Sequence, residues 1–311
     1  MDVVYFPDQR SPGWRQPIVA LGNFDGLHRG HMKIVERVCR QARERQSSAV
    51  VMTFDPHPPR VVRPDKAPPL LMTLPQRLAA LEQAGIDGVA VVRFTEELSR
   101  WEPAAFVSTV LVNWVRASEI WVGSNFLFGR NRSGTFSLLR QLGTRHGFRV
   151  EKIDPVRYKE FVVSSTRIRR LVSEGRVDEA GALLGRLYSI EGRVVRGAAR
   201  GREIGYATAN LATRNELLPP DGVYATTLTH NGTIHASVSN IGVRPTFGDD
   251  AGRVVEAHVL DATLDLYGAD VRLAFVQRMR PERAFESRDA LVAQIGADCD
   301  QARRLFDRIS L

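Results

Sequence analysis

Cysteine occurs only twice in the 311 residues, at Cys39 and Cys299. Two thiols so far apart, each in a helical pattern, supply neither a disulfide framework nor a CxxC metal knuckle, and both are expected as buried thiols. Lysine is scarce as well. Lys33, Lys66, Lys152 and Lys159 are the only ones, so the formal charge of +8 rests on arginine spread along the chain. There is no basic tail and no basic patch interleaved with aromatics. The arginine fork suits phosphate and carboxylate alike, so the excess points to anions, whether nucleic acid or small substrates, without naming them. No apolar run approaches the roughly 20 residues of a membrane span. The opening "MDVVYFPDQRSPGW" has neither the basic leader nor the apolar core of a signal peptide, so the expected location is the cytoplasm. No Gly-Lys pair occurs anywhere, which disfavours a Walker-type phosphate loop.

What is present describes an ordinary globular protein, 43% hydrophobic and 25% charged. Its length suits two cores better than one. From Pro17 to about Asp154 short apolar runs ("PIVALG", "SAVVMTF", "GVAVV", "EIWVG") alternate with helical patterns. That alternation predicts a mostly parallel, doubly wound α/β sheet with ligands at the carboxyl ends of its strands. Ser165 to Gly185 reads as helix, glycine break, helix, and closes the first unit, 1–184. The Pro-rich stretch from Asp55 to Leu71 reads as a long ordered loop over the first site. After Gly185, strands with alternating polar and apolar residues come at short intervals, and Asn231-Gly232 is a type I′ hairpin signal. An antiparallel sheet or small barrel over 185–311 follows, covered by a helix from Ser287 to about Ile309.

"ALGNFDGLHRGHMKIV" places His28 and His31 three apart, where a strand turns into a helix. Such a pair can cap or decorate a helix. A metal site is a second reading, although no Cys, Asp or Glu follows at ligand spacing. The third is phosphate binding, because a Gly-flanked turn into a helix N-terminus presents backbone N–H groups and the positive end of the dipole to an anion.

"GNFDGLHRGH" contains the HxGH pattern of the nucleotidyltransferases. It resembles, with "TFDPHP" (Thr53 to Pro58), "VGSNFLFG" (Val122 to Gly129) and "SSTRIR" (Ser164 to Arg169), the bacterial bifunctional riboflavin kinase/FMN adenylyltransferase family. "GREIGYATAN", "NIGVRPTF" and "VEAHVLD" carry the likeness across the second half. The resemblance implies that His28 and His31, with Gly22 and Phe24, hold ATP and stabilise charge as FMN attacks the α-phosphorus. It implies that Ser165, Thr166 and Arg169 grip the departing pyrophosphate; as bare residues they read as a helix cap and a basic helix face. Pro56, His57, Pro58, Asn125, Phe126 and Phe128 would cradle FMN, where the plain reading is loop packing. Many relatives carry aspartate at Asn125, which shares an acceptor oxygen but not the charge.

In the second half, Gly197, Gly201 and Gly205 are four apart, neither a dinucleotide fingerprint nor a Walker loop, and read by themselves as a glycine-rich turn. The resemblance assigns these glycines and Arg202 to ATP. It gives Thr208 and Asn210, from a family Pro-Thr-Ala-Asn motif, to Mg²⁺ and phosphate, and hard oxygen ligands suit that ion. The proline of that motif is Ala207 here, which loosens the loop. Glu256 matches the family's catalytic base. Strand alternation puts Val254, Glu256 and His258 on one face, which for an anonymous strand means solvent. The implied activities are phosphorylation of riboflavin to FMN and adenylylation of FMN to FAD, each with ATP. The alternatives are an adenylyltransferase whose kinase is weakened through Ala207 and, more remotely, a basic nucleic-acid-binding protein. No nucleic-acid or membrane partner is expected.

Overall fold

A computed structural model describes the chain except for residues 11–12, 198–200, 202–203, 244–252 and 310–311. The chain divides into two compact units, Met1–Ser165 and Thr166–Leu311.

The first unit is built on β1 (Asp2–Phe6), β2 (Ile18–Leu21), β3 (Ala49–Asp55), β4 (Gly88–Arg93), β5 (Glu119–Gly123) and β6 (Arg149–Ile153), in the order β1-β4-β3-β2-β5-β6. Every pairing in this sheet is parallel. Helices α1 (Arg29–Glu44), α2 (Pro58–Val62), α3 (Leu74–Gln83), α4 (Glu96–Ser99), α5 (Pro103–Phe106) and α6 (Phe136–His146) lie between strands, α5 running on into a wider π-helical turn, Val107–Trp114. Both sheet faces are covered. Along β2, Ile18 and Ala20 join one apolar cluster with Val35 and Val38 of α1, while Val19 and Leu21 join another with Leu111 and Leu139. Strand residues alternate between faces, so a fully buried strand reads as continuous apolar sequence. Strand order reverses between β2 and β5, and at such a switch point the turns leaving the strands open a crevice.

Two local readings change. β1 was not expected in the sheet, yet Asp2 to Phe6 pair in parallel with Gly88 to Val92 at its edge. The stretch 55–71 is not a plain loop: Pro58 starts α2 and Pro64 starts a 3₁₀ turn, Pro64–Lys66, as proline's missing N–H and preset φ favour.

The second unit is a closed antiparallel barrel of β9 (Tyr188–Val195), β10 (Ala209–Thr213), β11 (Gly222–His230), β12 (Thr233–Val243), β13 (Arg253–Val259) and β14 (Asp270–Arg280), ordered β10-β13-β12-β11-β14-β9. The β11–β12 hairpin turns at Asn231 and Gly232, φ 48° and 80°, both positive as a type I′ turn requires. Between the two units' strands the chain forms a small hairpin of β7 (Arg157–Tyr158) and β8 (Phe161–Val162), then α7 (Ser165–Ser173) and α8 (Val177–Leu184). α8 packs on β14 and β9, and the unit boundary falls at the first residue of α7, after Ser165. The last helix, α9 (Arg288–Phe306), lays Cys299 and Ala302 over Val223, Ala225, Val238 and Leu260. It is fastened by Arg280, whose guanidinium donates to the buried Asp298 carboxylate at 2.7 Å while Gln294 donates to the same carboxylate at 2.8 Å.

Candidate functional sites

In the first unit the chain leaves β2 at Gly22 and reaches α1 through a loop held in unusual backbone conformations. Phe24 (φ 51°), Gly26 (φ 84°) and Leu27 (φ 37°) all have positive φ. For non-glycine residues this strain persists only where the surroundings over-determine it, and it concentrates at ligand-binding turns. The surroundings here are specific. Asp25, 2% exposed, accepts from the backbone N–H groups of Leu71 and Met72 at 3.1 and 3.3 Å. Ser165 at the head of α7 donates to the Asp25 carbonyl at 2.9 Å, and Thr53 donates to the Asn23 carbonyl at 3.0 Å. A Cβ on Gly26 would stand 2.6 Å from the Leu71 side chain, so that position has no room for one.

His28 is the N-cap of α1, its Nδ1 accepting from the His31 N–H at 3.2 Å. That bond places the proton of a neutral His28 on Nε2. The two imidazoles stack, 3.7 Å between centroids, and the Phe24 ring lies 5.2 Å from His31. The first turn of α1 contains no acidic residue, and Arg29 lies over the Tyr158 ring of the small hairpin. The result is a helix N-terminus lined by donors and free of carboxylates, suited to a polyphosphate.

Other expected residues take varied places. Phe24 is 1% exposed, with its ring in the core. His57 stands at the N-cap position of α2 without a side-chain cap bond and is buried, Pro56 is exposed and Pro58 is the first residue of α2. After β5, Asn125 is exposed, Phe126 is half-buried and stacks at 5.6 Å on Phe128, and Phe128 belongs to the core. Thr166 is exposed and Arg169 half-buried on α7.

One group was missed from sequence. Arg77 of α3 is 1% exposed and donates to Thr53 Oγ1 at 2.9 Å, directly beneath the Asn23–Asp25 loop. Burial pushes its pKa down, and the carboxylates of Asp25 and Asp55 oppose that shift. An arginine at a helical position beside apolar residues gives no sign of this role.

In the barrel, strand register sets Glu256 of β13 directly opposite Asn210 of β10 on one side and Asn240 of β12 on the other. A carboxylate thus stands between two amides in one row. Asn210 is 6% exposed, and a Cβ on Gly197 would fall 2.2 Å from its Nδ2, so glycine is what admits this side chain. Gly201 closes a turn by accepting from Tyr206 N–H at 2.8 Å, and Gly205 has φ 87°. Arg202 lies outside the described residues. His258 Nδ1 lies 2.8 Å from the carbonyl oxygen of Ala207. Among the described residues no group of three or more His, Cys, Asp or Glu could hold a metal ion. The oxygens of Thr208, just before β10, and of Asn210, on it, are hard donors that fit Mg²⁺ sharing its shell with water and phosphate, and Glu256 lies opposite Asn210.

A FAD synthetase family model matches residues 11–167, and a riboflavin kinase family model matches residues 184–306. The bifunctional riboflavin kinase/FMN adenylyltransferase of Escherichia coli K12 is 36% identical over 290 residues, 93% of this chain and 92% of that protein. Its counterparts in Pseudomonas fluorescens and Listeria monocytogenes are 36% and 33% identical over 294 residues, each covering 94% of this chain. A solved structure from Streptococcus pneumoniae, described as a macrolide-efflux protein, superposes with a TM-score of 0.88 at 29% identity, covering 97% of this chain and 99% of that one. That likeness concerns the fold, and efflux is said of that protein; among the described residues no helix here is long and apolar enough to cross a membrane. With both family models matched in order along one chain and relatives of this identity spanning it almost end to end, the chain belongs to the bifunctional riboflavin kinase/FMN adenylyltransferase family.

Proposed function

We propose that the barrel phosphorylates riboflavin to FMN and that the segment 1–184 joins FMN to AMP from ATP to give FAD and pyrophosphate. The observation that carries this reading is a pair of separate sites, each within the segment matched by its own family model. One is an imidazole-lined helix N-terminus, the other a carboxylate between two amides.

In the adenylyl transfer, a phosphate oxygen of FMN attacks the α-phosphorus of ATP and the bond to the β-phosphate oxygen breaks. No covalent protein intermediate is needed, so the protein's task is alignment and charge stabilisation. The Nε2–H of His28, the stacked His31 and the α1 N-terminus supply donors where negative charge grows; Ser165, Thr166 and Arg169 receive the pyrophosphate. In the phosphorylation, Glu256 takes the proton of the ribityl 5′-hydroxyl as its oxygen attacks the γ-phosphorus, and ADP leaves. Thr208 and Asn210 would hold Mg²⁺, which neutralises phosphate charge when bound with ATP.

The flavins and ATP are the partners this requires. The cytoplasm, where ATP is available, is its place. Incubation with riboflavin, ATP and Mg²⁺, sampled over time, should show FMN rising first and FAD following. FAD from added FMN but no FMN from riboflavin would reduce the reading to the adenylyltransferase alone. A salt-sensitive shift of a nucleic-acid probe without flavin turnover would favour the basic-binder reading.

A further inference from the structure

We propose that His258 is a positioning residue of the kinase site, a latch on the Ala207 carbonyl that sets the approach of Thr208 and Asn210 to Glu256. The proposal rests on reading the barrel as the riboflavin kinase.

The geometry comes from strand alternation. His258 lies two residues beyond Glu256 on β13 and shares its face, while Val255, Ala257 and Val259 on the opposite face are buried in the barrel. The imidazole is therefore not a core group. Its Nδ1 meets the Ala207 carbonyl at 2.8 Å, and since a carbonyl only accepts, that nitrogen carries the proton. The peptide so held is the one whose N–H belongs to Thr208, so fixing its oxygen fixes the direction in which Thr208 enters the site. The preceding residues are tied too. Tyr206 presents its ring edge-on to His258 at 5.3 Å, packs against the apolar cluster under α9, and donates its N–H to the Gly201 carbonyl at 2.8 Å. Gly201, Tyr206 and Ala207 are thus three fastened points leading into β10, whose Asn210 faces Glu256.

Alanine at 207 leaves φ unrestricted where proline would preset it, and the ordering of the loop then depends on contacts made from outside it. The exposed Ala207 has no side chain with which to make them. His258 supplies one, and a loop already ordered before ATP arrives loses less entropy on binding.

The test uses the full chain with His258→Ala and His258→Asn, each also combined with Ala207→Pro. The alanine variant should raise the KM for ATP in riboflavin phosphorylation about three- to tenfold, the span of one net hydrogen bond, with kcat nearly unchanged. Amide exchange at Ile204 to Thr208 should quicken. Asparagine, whose amide can donate from nearly the place of Nδ1, should restore part of both, and the loss on removing His258 should shrink in the Ala207→Pro background. FMN adenylylation should not change. Unaltered KM and loop exchange in the alanine variant would overturn the proposal, as would a fall confined to kcat or strictly additive effects with Ala207→Pro. If the wild-type chain makes no FMN, the kinase reading falls by itself, and loop exchange alone decides whether the latch exists.

Discussion

The imidazoles of His28 and His31 stack with their planes 14° apart, while the backbone N–H of His31 is the donor that caps onto His28. The two side chains are thus unequal: His28 has a structural bond through Nδ1, and the cap needs only the main chain of His31. Replacing His31 by alanine should leave α1 and the fold intact. FAD formation from FMN should fall by about 10²- to 10³-fold, the usual loss for one transition-state donor. Assays of both activities on one preparation check it; a parallel fall in riboflavin phosphorylation would contradict the separation of sites.

His28 separates differently. Alanine removes both the cap and the donor, costing about 1 kcal/mol of stability along with adenylyl transfer. Asparagine keeps an oxygen for the His31 N–H, so His28→Asn should unfold near the wild-type midpoint in urea yet remain a poor adenylyltransferase. Equal destabilisation by the two substitutions would show that the cap contributes nothing.

Glu256→Gln keeps the shape between Asn210 and Asn240 and removes the base. Riboflavin phosphorylation should drop by about 10²- to 10⁴-fold, the range a general base supplies. FMN adenylylation should be preserved. Undiminished FMN formation by the variant would make Glu256 an ordinary strand residue.

Thr208 and Asn210 offer neutral oxygens, which bind Mg²⁺ mainly together with nucleotide phosphate. Excess chelator should therefore stop riboflavin phosphorylation, restored by added Mg²⁺, while the metal-free chain keeps its circular dichroism spectrum. Turnover that persists in chelator would remove the metal from the proposal.

Alkaline pH should loosen the barrel. Burial pushes the Cys299 thiol from 9.0 up to about 11 and the Tyr224 phenol from 10.0 up to about 12. Each folded group keeps a proton that the unfolded chain has released, so its contribution is full below the unfolded value and is lost as pH rises through the folded one. The urea midpoint should therefore decline from about pH 9 upward, and Cys299→Ala should flatten the decline between about 9 and 11. An unchanged slope in that variant would show that the thiol does not report on α9 docking.

The alternation of apolar runs and helical spacing determined the class of both units, because burial on a strand or helix face is a local pattern that survives in one dimension. Asn231-Gly232 determined its hairpin for the same reason: the positive φ values are a property of those two residues. The motifs around His28, Glu256 and Asn210 were legible as residue types at short spacing. The tertiary structure alone decided which of these meet. β1 pairs with a strand more than eighty residues away, Arg77 comes to rest under the Asn23–Asp25 loop, and Asn240 completes the row beside Glu256 through register on β12. His258 finds a carbonyl 51 positions earlier in the chain. Periodicity says which face a side chain occupies, but the partner on that face is chosen by sheet order and register. Those are set by the packing of the whole unit rather than by any segment within it.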